Sequence, residues 1–208
     1  GHAMGDFNLS KTFSKNIGLM KEIGILPVVV HGGGPQIGEM LNKKNIKSKF
    51  VEGLRVTDKE TVKIVENVLV KDINKKIVED INQTGGKAIG LAGNKNNLIE
   101  ASKLKIQSKE TDSNIEKMLD IGFVGKPTKI NIDIINEQLN RGFIPVIAPL
   151  GVDAKNNNYN INADTAAGFI AGALKASKLL LLTDVAGILD KEKKINLFFK
   201  LKSSRRNN

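Results

Sequence analysis

The sequence lacks cysteine and tryptophan, and it has only one tyrosine and two histidines among 208 residues. Without cysteine there are no disulfides, thiol nucleophiles or thiolate metal ligands, as is common for proteins of a reducing cytoplasm. Two histidines make a histidine-based metal site a poor expectation, and we predict no metal-ligating residues. No apolar run approaches the ~20 residues of a membrane span, and no signal peptide opens the chain. We therefore expect a soluble, globular, cytoplasmic protein with no membrane partner.

The formal net charge of +10 raises the question of nucleic-acid binding. Seven basic residues and one acid lie between Lys191 and Asn208, so most of the excess charge belongs to the end of the sequence. A nucleic-acid footprint is expected on a folded face instead. Aromatic residues, which stack on unpaired bases, make up only 4% of the chain. We expect no nucleic-acid partner.

Helical periodicity alternates with short apolar runs along the chain, which predicts the α/β class with a largely parallel central sheet. A turn or small hairpin is expected within 47–56, and an antiparallel hairpin is expected within 94–130. A capping box at Thr57–Glu60 predicts the start of a long helix that ends at Gly85 and Gly86. The other helices are predicted at 9–23, from 35, around 134–139 and at 163–176, and the strands at 26–30, 88–92, 143–149 and 178–183.

The most informative loop is His31-Gly-Gly-Gly-Pro35, which joins a predicted strand to a predicted helix. Ligands of open α/β sheets bind beyond the carboxyl ends of the strands. Three glycines let backbone N–H groups approach an anion there, whereas a tight turn alone requires one glycine. The sequence contains neither a P-loop nor a dinucleotide fingerprint. We predict an anion site at this loop, with His31 in a structural role.

Two further segments place polar groups at predicted helix starts. Arg55, in Gly-Leu-Arg-Val-Thr-Asp at 53–58, precedes a helix and is suited either to a bidentate carboxylate contact or to a surface ion pair. Asn160, Asn162 and Asp164 alternate along an extended segment before another helix. Helix capping explains one of these three residues and leaves two for another role.

Together these pieces resemble the amino-acid kinase superfamily, and within it the acetylglutamate kinases. The segments that carry the resemblance are Gly-His-Ala-Met at 1–4, Val-Val-Val-His-Gly-Gly-Gly-Pro at 28–35, Gly-Leu-Arg-Val-Thr-Asp at 53–58, Asn-Ile-Asn-Ala-Asp at 160–164 and Leu-Thr-Asp-Val-Ala-Gly-Ile-Leu at 182–189. Their order and spacing fit over about residues 1–190. The resemblance implies a three-layer αβα sandwich and transfer of the γ-phosphoryl group of ATP to the side-chain carboxylate of N-acetyl-L-glutamate, in arginine biosynthesis.

The resemblance also implies the roles of individual residues. Gly33 and Gly34 would donate backbone N–H groups to substrate and phosphoryl group, Arg55 would hold the α-carboxylate, and Asn160 would bind the acetylated amino acid. Asp164, with Gly33, would be catalytic by orienting the charged groups around the phosphoryl group. Nucleotide binding would fall to Gly1, Asp184, Val185, Ala186, Gly187, Ile188 and Leu189, with Mg²⁺ accompanying ATP. Members of the family form homo-oligomers, so we expect one here.

The resemblance further divides the chain into lobes. Residues 1–160 would form the acyl-amino-acid-binding lobe with the sheet core, residues 161–190 would begin the nucleotide-binding lobe, and 191–208 would be a divergent basic tail typical of a shifted reading frame. The family's first strand, with its lysine, and its later active-site lysine have no counterpart in the sequence. We therefore expect a chain shortened at both ends, with weak or no activity of its own.

Three alternatives stay open at the level of sequence. The chain could be another amino-acid kinase, acting on an amino acid, carbamate or a nucleoside monophosphate. It could be a non-catalytic module that binds an acylated amino acid without turnover. It could also be an incomplete gene product without function.

Overall fold

The computed structural model describes residues 7–109 and 116–182. Its helices are α1 (Phe7–Glu22), α2 (Gly34–Lys43), α3 (Lys59–Asn67), α4 (Lys75–Gln83), α5 (Ile132–Asn140) and α6 (Ala163–Ala173), and a π-helical segment (Val68–Asn74) joins α3 to α4. Its strands are β1 (Val29–Val30), β2 (Phe50–Val51), β3 (Leu54–Arg55), β4 (Ala88–Ala92), β5 (Ile99–Lys109), β6 (Glu116–Ile130), β7 (Ile144–Ala148), β8 (Leu150–Val152) and β9 (Asn158–Asn160).

The central sheet is parallel, with the strand order β1–β7–β4. Val29 lies opposite Val146, and Ala88 lies opposite Ile144. Every residue of β7 is buried, as expected for a strand that is covered on both faces and paired on both edges. The predicted α/β class with a parallel sheet is therefore confirmed.

Helices cover both faces of this sheet and give it three layers. Ile144, Val146 and Ala148 face a core built mainly from α2, α3, the π-helical segment and α4. Ile147 faces the opposite core, to which α5 and α6 contribute. This alternation along one strand follows from the two-residue period of a β-strand.

The remaining strands form two smaller units beside the sheet. β5 and β6 are the antiparallel hairpin predicted within 94–130, and with β8 and β9 they close a small barrel. For 47–56, where a turn or small hairpin is predicted, the structure has a hairpin of β2 and β3 in which Phe50 lies opposite Arg55. The turn between them uses Glu52 and Gly53 with positive φ values of 49° and 77°, which suits a two-residue hairpin.

The long helix predicted after residue 57 differs from expectation in two ways. Its N-cap is Asp58, whose side chain accepts from the Thr61 backbone N–H at 2.7 Å, because Thr57 is engaged in a bridge with Gly122. The helix is also not α-helical throughout, since Val68–Asn74 adopts π-helical geometry. The predicted apolar face is nevertheless buried, comprising Val62, Val65, Leu69, Ile73, Ile77 and Ile81.

Two strand predictions were wrong in extent. Of the run 26–30, only Val29 and Val30 pair with β7. The apolar run from Lys178 is irregular as far as residue 182, and Leu179 to Leu182 are 46–75% exposed. These leucines have no strand beside them in the described part of the chain, and an apolar run forms a strand only where a partner completes its backbone hydrogen bonds.

Among residues 7–109 and 116–182, no helix is both long and apolar enough to cross a bilayer. The proposed division into lobes at residues 160 and 190 stays a prediction, and the predicted tail 191–208 lies outside the described residues.

Candidate anion-binding site

The glycine loop leaves the carboxyl end of β1 and runs into the first turn of α2, with Pro35 directly inside the helix. The glycines at 33 and 34 meet different surroundings. A Cβ atom at position 33 would lie 2.5 Å from Ile73 Cδ1 and 2.7 Å from Leu69 Cδ2, so the backbone here is pressed against the core. A Cβ atom at position 34 would meet no atom within 4 Å, and Gly34 is exposed. A side chain at 33 would therefore force Leu69 and Ile73 to shift, whereas at 34 the backbone is open to a ligand.

A second helix begins beside this loop. A Cβ atom at position 32 would lie 3.7 Å from the Ala163 Cβ, which places the start of α6 against Gly32. Asn162 is the N-cap of α6, and its Oδ1 accepts from the Thr165 backbone N–H at 3.0 Å. Asp164 lies exposed in the first turn. The partial positive charges at the starts of α2 and α6 favour an anion in this region.

Arg55 ends the β2–β3 hairpin next to the glycine loop. Its guanidinium donates one hydrogen bond to the Gly34 carbonyl at 3.0 Å and a second to the Ser48 hydroxyl. The guanidinium carbon lies 4.6 Å from the centroid of the Phe50 ring, within cation–π distance. Arg55 is only 8% exposed, so these contacts fix its position.

The charge of Arg55 has no carboxylate partner among the described residues, since both of its hydrogen-bond acceptors are uncharged. Burial lowers the pKa of Arg55, although an arginine stays protonated in proteins. A buried cation without a counter-charge is costly unless a partner is supplied. Two of the five N–H donors are in use, so this guanidinium can still donate two hydrogen bonds to a carboxylate in a bidentate pair.

Asn160 is connected to Arg55 through Thr57. The Asn160 side-chain amide contacts the Thr57 hydroxyl at 3.4 Å, and that hydroxyl donates to the Arg55 carbonyl at 2.8 Å. Thr57 is completely buried. Glycine loop, β3 and β9 are therefore linked by a continuous path of hydrogen bonds through Gly34, Arg55, Thr57 and Asn160.

The strand that carries Asn160 is itself held by polar contacts. Asp153 accepts from the Asn157 side chain and from the Tyr159 hydroxyl, both at 2.9 Å, and from two backbone N–H groups. The Asn157 contact, aided by the others, lowers the pKa of Asp153 to about 2. Asn158, two residues before Asn160, donates to Glu66 Oε2 at 3.0 Å. These contacts fix the position of β9, which ends at Asn160, and of the turn before it.

His31 is 5% exposed beneath the loop. Desolvation lowers the pKa of His31 to about 4, so its ring is neutral near pH 7. It contacts Asn74 and the Gly32 carbonyl, in keeping with the structural role predicted from the sequence.

The structure thus brings Gly33, Gly34, Arg55 and Asn160 into one region, with Asp164 at the neighbouring start of α6. The contacts of Ser48, Phe50 and Thr57 were not predicted. Phe50 could have been found from the hairpin, because a two-residue turn at 52–53 sets it opposite Arg55.

The predicted nucleotide-binding residues Gly1 and Asp184 to Leu189 lie outside the described residues, and their role stays a prediction. Within the described ranges, no group of three or more metal-ligating side chains is close enough to hold a metal ion.

Comparison with known proteins gives a consistent picture. The family model described as "Amino acid kinase family" matches residues 1–201. The chain is 55% identical to the acetylglutamate kinase of Rhodospirillum centenum over 94% of this chain and 64% of that protein. It is 51% identical to the acetylglutamate kinase of Afipia carboxidovorans over 99% of this chain and 70% of that protein.

A solved structure supports the same fold. The crystal structure of smu.665 from Streptococcus mutans UA159 matches with a TM-score of 0.74 and 32% identity, over 86% of this chain and 68% of that one. The chain spans 64% of the length of the first two curated relatives that it matches. On the family model and these relatives, the chain belongs to the amino acid kinase family.

Proposed function

We propose that the chain derives from an acetylglutamate kinase and that its described part carries the site for N-acetyl-L-glutamate. The reaction is transfer of the γ-phosphoryl group of ATP to the side-chain carboxylate of this substrate. The product is an acyl phosphate, N-acetylglutamyl 5-phosphate, and ADP leaves. The names of the curated relatives and the arrangement around Arg55 support the proposal.

The observation that carries the proposal is the buried guanidinium of Arg55 beside the open backbone of Gly34. It is a fixed cation with unused donors and no carboxylate partner among the described residues. An α-carboxylate of the substrate supplies that partner in a bidentate pair. The hydrogen bond from Arg55 to the Gly34 carbonyl joins this carboxylate site to the glycine loop, whose N–H groups then face the reacting end of the substrate.

The chemistry requires little of the protein beyond alignment and charge neutralisation. One oxygen of the side-chain carboxylate forms a bond to the γ-phosphorus while the bond from phosphorus to the β–γ bridging oxygen breaks, and ADP takes that electron pair. The nucleophile is already an anion, so no general base is needed. Catalysis rests on holding two anions in line and on stabilising charge as it spreads over the transferring group.

The remaining residues fit supporting roles in this proposal. Asn160, held at the end of β9, supplies a side-chain amide to the acetylated amino acid. Gly33 donates its backbone N–H to the phosphoryl group, and Asp164 orients the charged groups at the start of α6. Mg²⁺ would accompany ATP, and it would supply neutralisation of the phosphate charge.

The proposal is tested by incubating the 208-residue chain with MgATP and N-acetyl-L-glutamate in hydroxylamine, which traps an acyl phosphate as a hydroxamate. In parallel, the affinity of the chain for N-acetyl-L-glutamate is measured by calorimetry. We expect binding to be selective over L-glutamate, L-aspartate and UMP, with hydroxamate and ADP formed in equal amounts at a low rate. Binding without either product would support the non-catalytic alternative. Preferential binding of another acid, or no binding, would contradict the proposal.

Two further expectations stay predictions. A homo-oligomer is tested by light scattering on the purified chain, and a cytoplasmic location is tested by fractionation of the source cells.

A further inference from the structure

The π-helical segment Val68–Asn74 is the least expected feature of the fold. It interrupts an apolar period that sequence alone would assign to one α-helix. π-Helical turns are rare and occur frequently at functional sites. The segment ends at Asn74, whose side chain is only 4% exposed although it is an amide. An amide at this depth requires hydrogen-bond partners.

Asn74 finds these partners in the middle of β7 and at His31, the residue that follows β1. Its Nδ2 donates to the Val146 carbonyl at 2.9 Å and lies 3.1 Å from His31 Nε2. A carbonyl can only accept, so the contact with Val146 fixes which end of the amide is the NH₂ group. The second hydrogen of that group is then available to His31 Nε2, which must accept it.

This contact fixes the tautomer of His31. If Nε2 accepts, a neutral ring carries its proton on Nδ1, and Nδ1 lies 3.0 Å from the Gly32 carbonyl. The ring is buried, and the resulting desolvation lowers the pKa of His31 to about 4, so the neutral form prevails near pH 7. His31 therefore donates from Nδ1 to the Gly32 carbonyl and accepts from Asn74 at Nε2.

The Gly32 carbonyl belongs to the same planar peptide as the Gly33 N–H. In a trans peptide these two groups point in opposite directions, so the hydrogen bond from His31 also sets the direction of the Gly33 N–H. Gly90 leaves room for the Asn74 amide, since a Cβ atom at position 90 would lie 2.2 Å from Asn74 Oδ1.

We propose that Asn74 is a positioning residue for the glycine loop, because it holds His31 in the Nδ1–H tautomer and thereby orients the peptide that carries the Gly33 N–H. The inference rests on the proposed function in one respect, namely that the Gly33 N–H faces the phosphoryl group. The geometry of the loop itself is testable without any ligand.

The first test is the histidine ¹⁵N spectrum of the 208-residue chain at pH 7. The sequence has two histidines, so His2→Ala leaves the signals of His31 alone. We expect the Nδ1 shift of a protonated nitrogen and the Nε2 shift of an unprotonated one. A ring that is charged, or protonated on Nε2, would overturn the proposal without any change at Asn74.

The second test compares two variants of the same helical region. Asn74→Leu removes the donor to His31, whereas Asn82→Leu removes an asparagine that bonds the backbone of Ala88, the first residue of β4. We expect N74L, and not N82L, to mix the tautomers of His31 and to shift the Gly33 amide resonance. If N74L fails to fold, Gly90→Ala is a second variant, because its methyl group displaces the Asn74 amide while Asn74 is kept. It should likewise mix the tautomers of His31 and shift the Gly33 amide resonance.

The third measurement separates this inference from the proposed function. N74L should weaken N-acetyl-L-glutamate binding by about tenfold, the effect of one lost hydrogen bond, while N82L binds as wild type does. An altered tautomer with an unchanged Gly33 resonance would overturn the positioning role. If the wild-type chain binds no N-acetyl-L-glutamate, the proposed function fails. The spectra of His31 and Gly33 then still decide whether Asn74 positions the loop.

Discussion

Alanine substitutions at Gly33 and Gly34 should affect different properties. Gly33→Ala should lower the stability of the fold, and Gly34→Ala should weaken ligand binding. At position 33 the new methyl group would meet Ile73 Cδ1 at 2.5 Å and Leu69 Cδ2 at 2.7 Å, both closer than ordinary carbon contacts. Both contacts are with terminal methyl groups of buried side chains, so Leu69 and Ile73 must change rotamer or shift within the core to admit the new methyl group. Overpacking of this kind costs about 1–3 kcal/mol. A chain of this size loses about 2–4 °C in its midpoint for each kcal/mol.

At position 34 the methyl group meets no protein atom within 4 Å, so Gly34→Ala should leave the free energy of unfolding unchanged or raise it by up to about 1 kcal/mol. The same methyl group projects into the open space where we propose that the substrate lies. Urea unfolding measures the first effect, and calorimetry with N-acetyl-L-glutamate measures the second. A G34A chain that binds as tightly as wild type would refute the proposed place of the ligand. A G33A chain as stable as wild type would refute the packing argument.

Three further outcomes follow from the site. Arg55→Lys keeps the charge but loses the bidentate geometry, and calorimetry should show N-acetyl-L-glutamate affinity about tenfold lower or worse; equal affinity would exclude a bidentate contact. Phe50→Ala removes a ring contact worth about 0.5–1 kcal/mol and should weaken the same binding about two- to fivefold, whereas unchanged binding would mean that the ring does not hold Arg55. Because the unfolded chain protonates His31 near pH 6.5 and the folded chain near 4, stability should fall by about 3 kcal/mol as the pH drops across that window. Urea unfolding at several pH values should show this loss in wild type but not in His31→Gln, and parallel curves would contradict it.

The fold was largely predictable because its signals are local. Apolar periodicity over a short stretch of sequence predicts each helix, and short β-branched runs predict the strands. The alternation of helices and strands then predicts a parallel sheet. The π-helical segment could not be predicted, since the spacing of its apolar residues is also that of an α-helix. Thr57 matches a capping box, but its bridge to Gly122 depends on a residue 65 positions away in the chain.

The sequence predicted which residues belong to the site, but it did not predict the surroundings of each residue. Three consecutive glycines indicate an anion loop, but only the contacts of Leu69 and Ile73 separate the packed Gly33 from the open Gly34. The burial of Arg55 without an acidic partner among the described residues likewise required the structure, because an arginine between apolar residues is more often part of a surface ion pair.

The most direct test of the account is thermal unfolding of the 208-residue chain with N-acetyl-L-glutamate, L-glutamate or MgATP added separately. A ligand that binds the native state at 100 times its dissociation constant stabilises it by about 2.7 kcal/mol. We predict that N-acetyl-L-glutamate raises the midpoint of wild type, that L-glutamate raises it much less, and that R55K and G34A lose the response. A midpoint that does not respond to N-acetyl-L-glutamate, or responds equally in R55K, would contradict the assignment of this site.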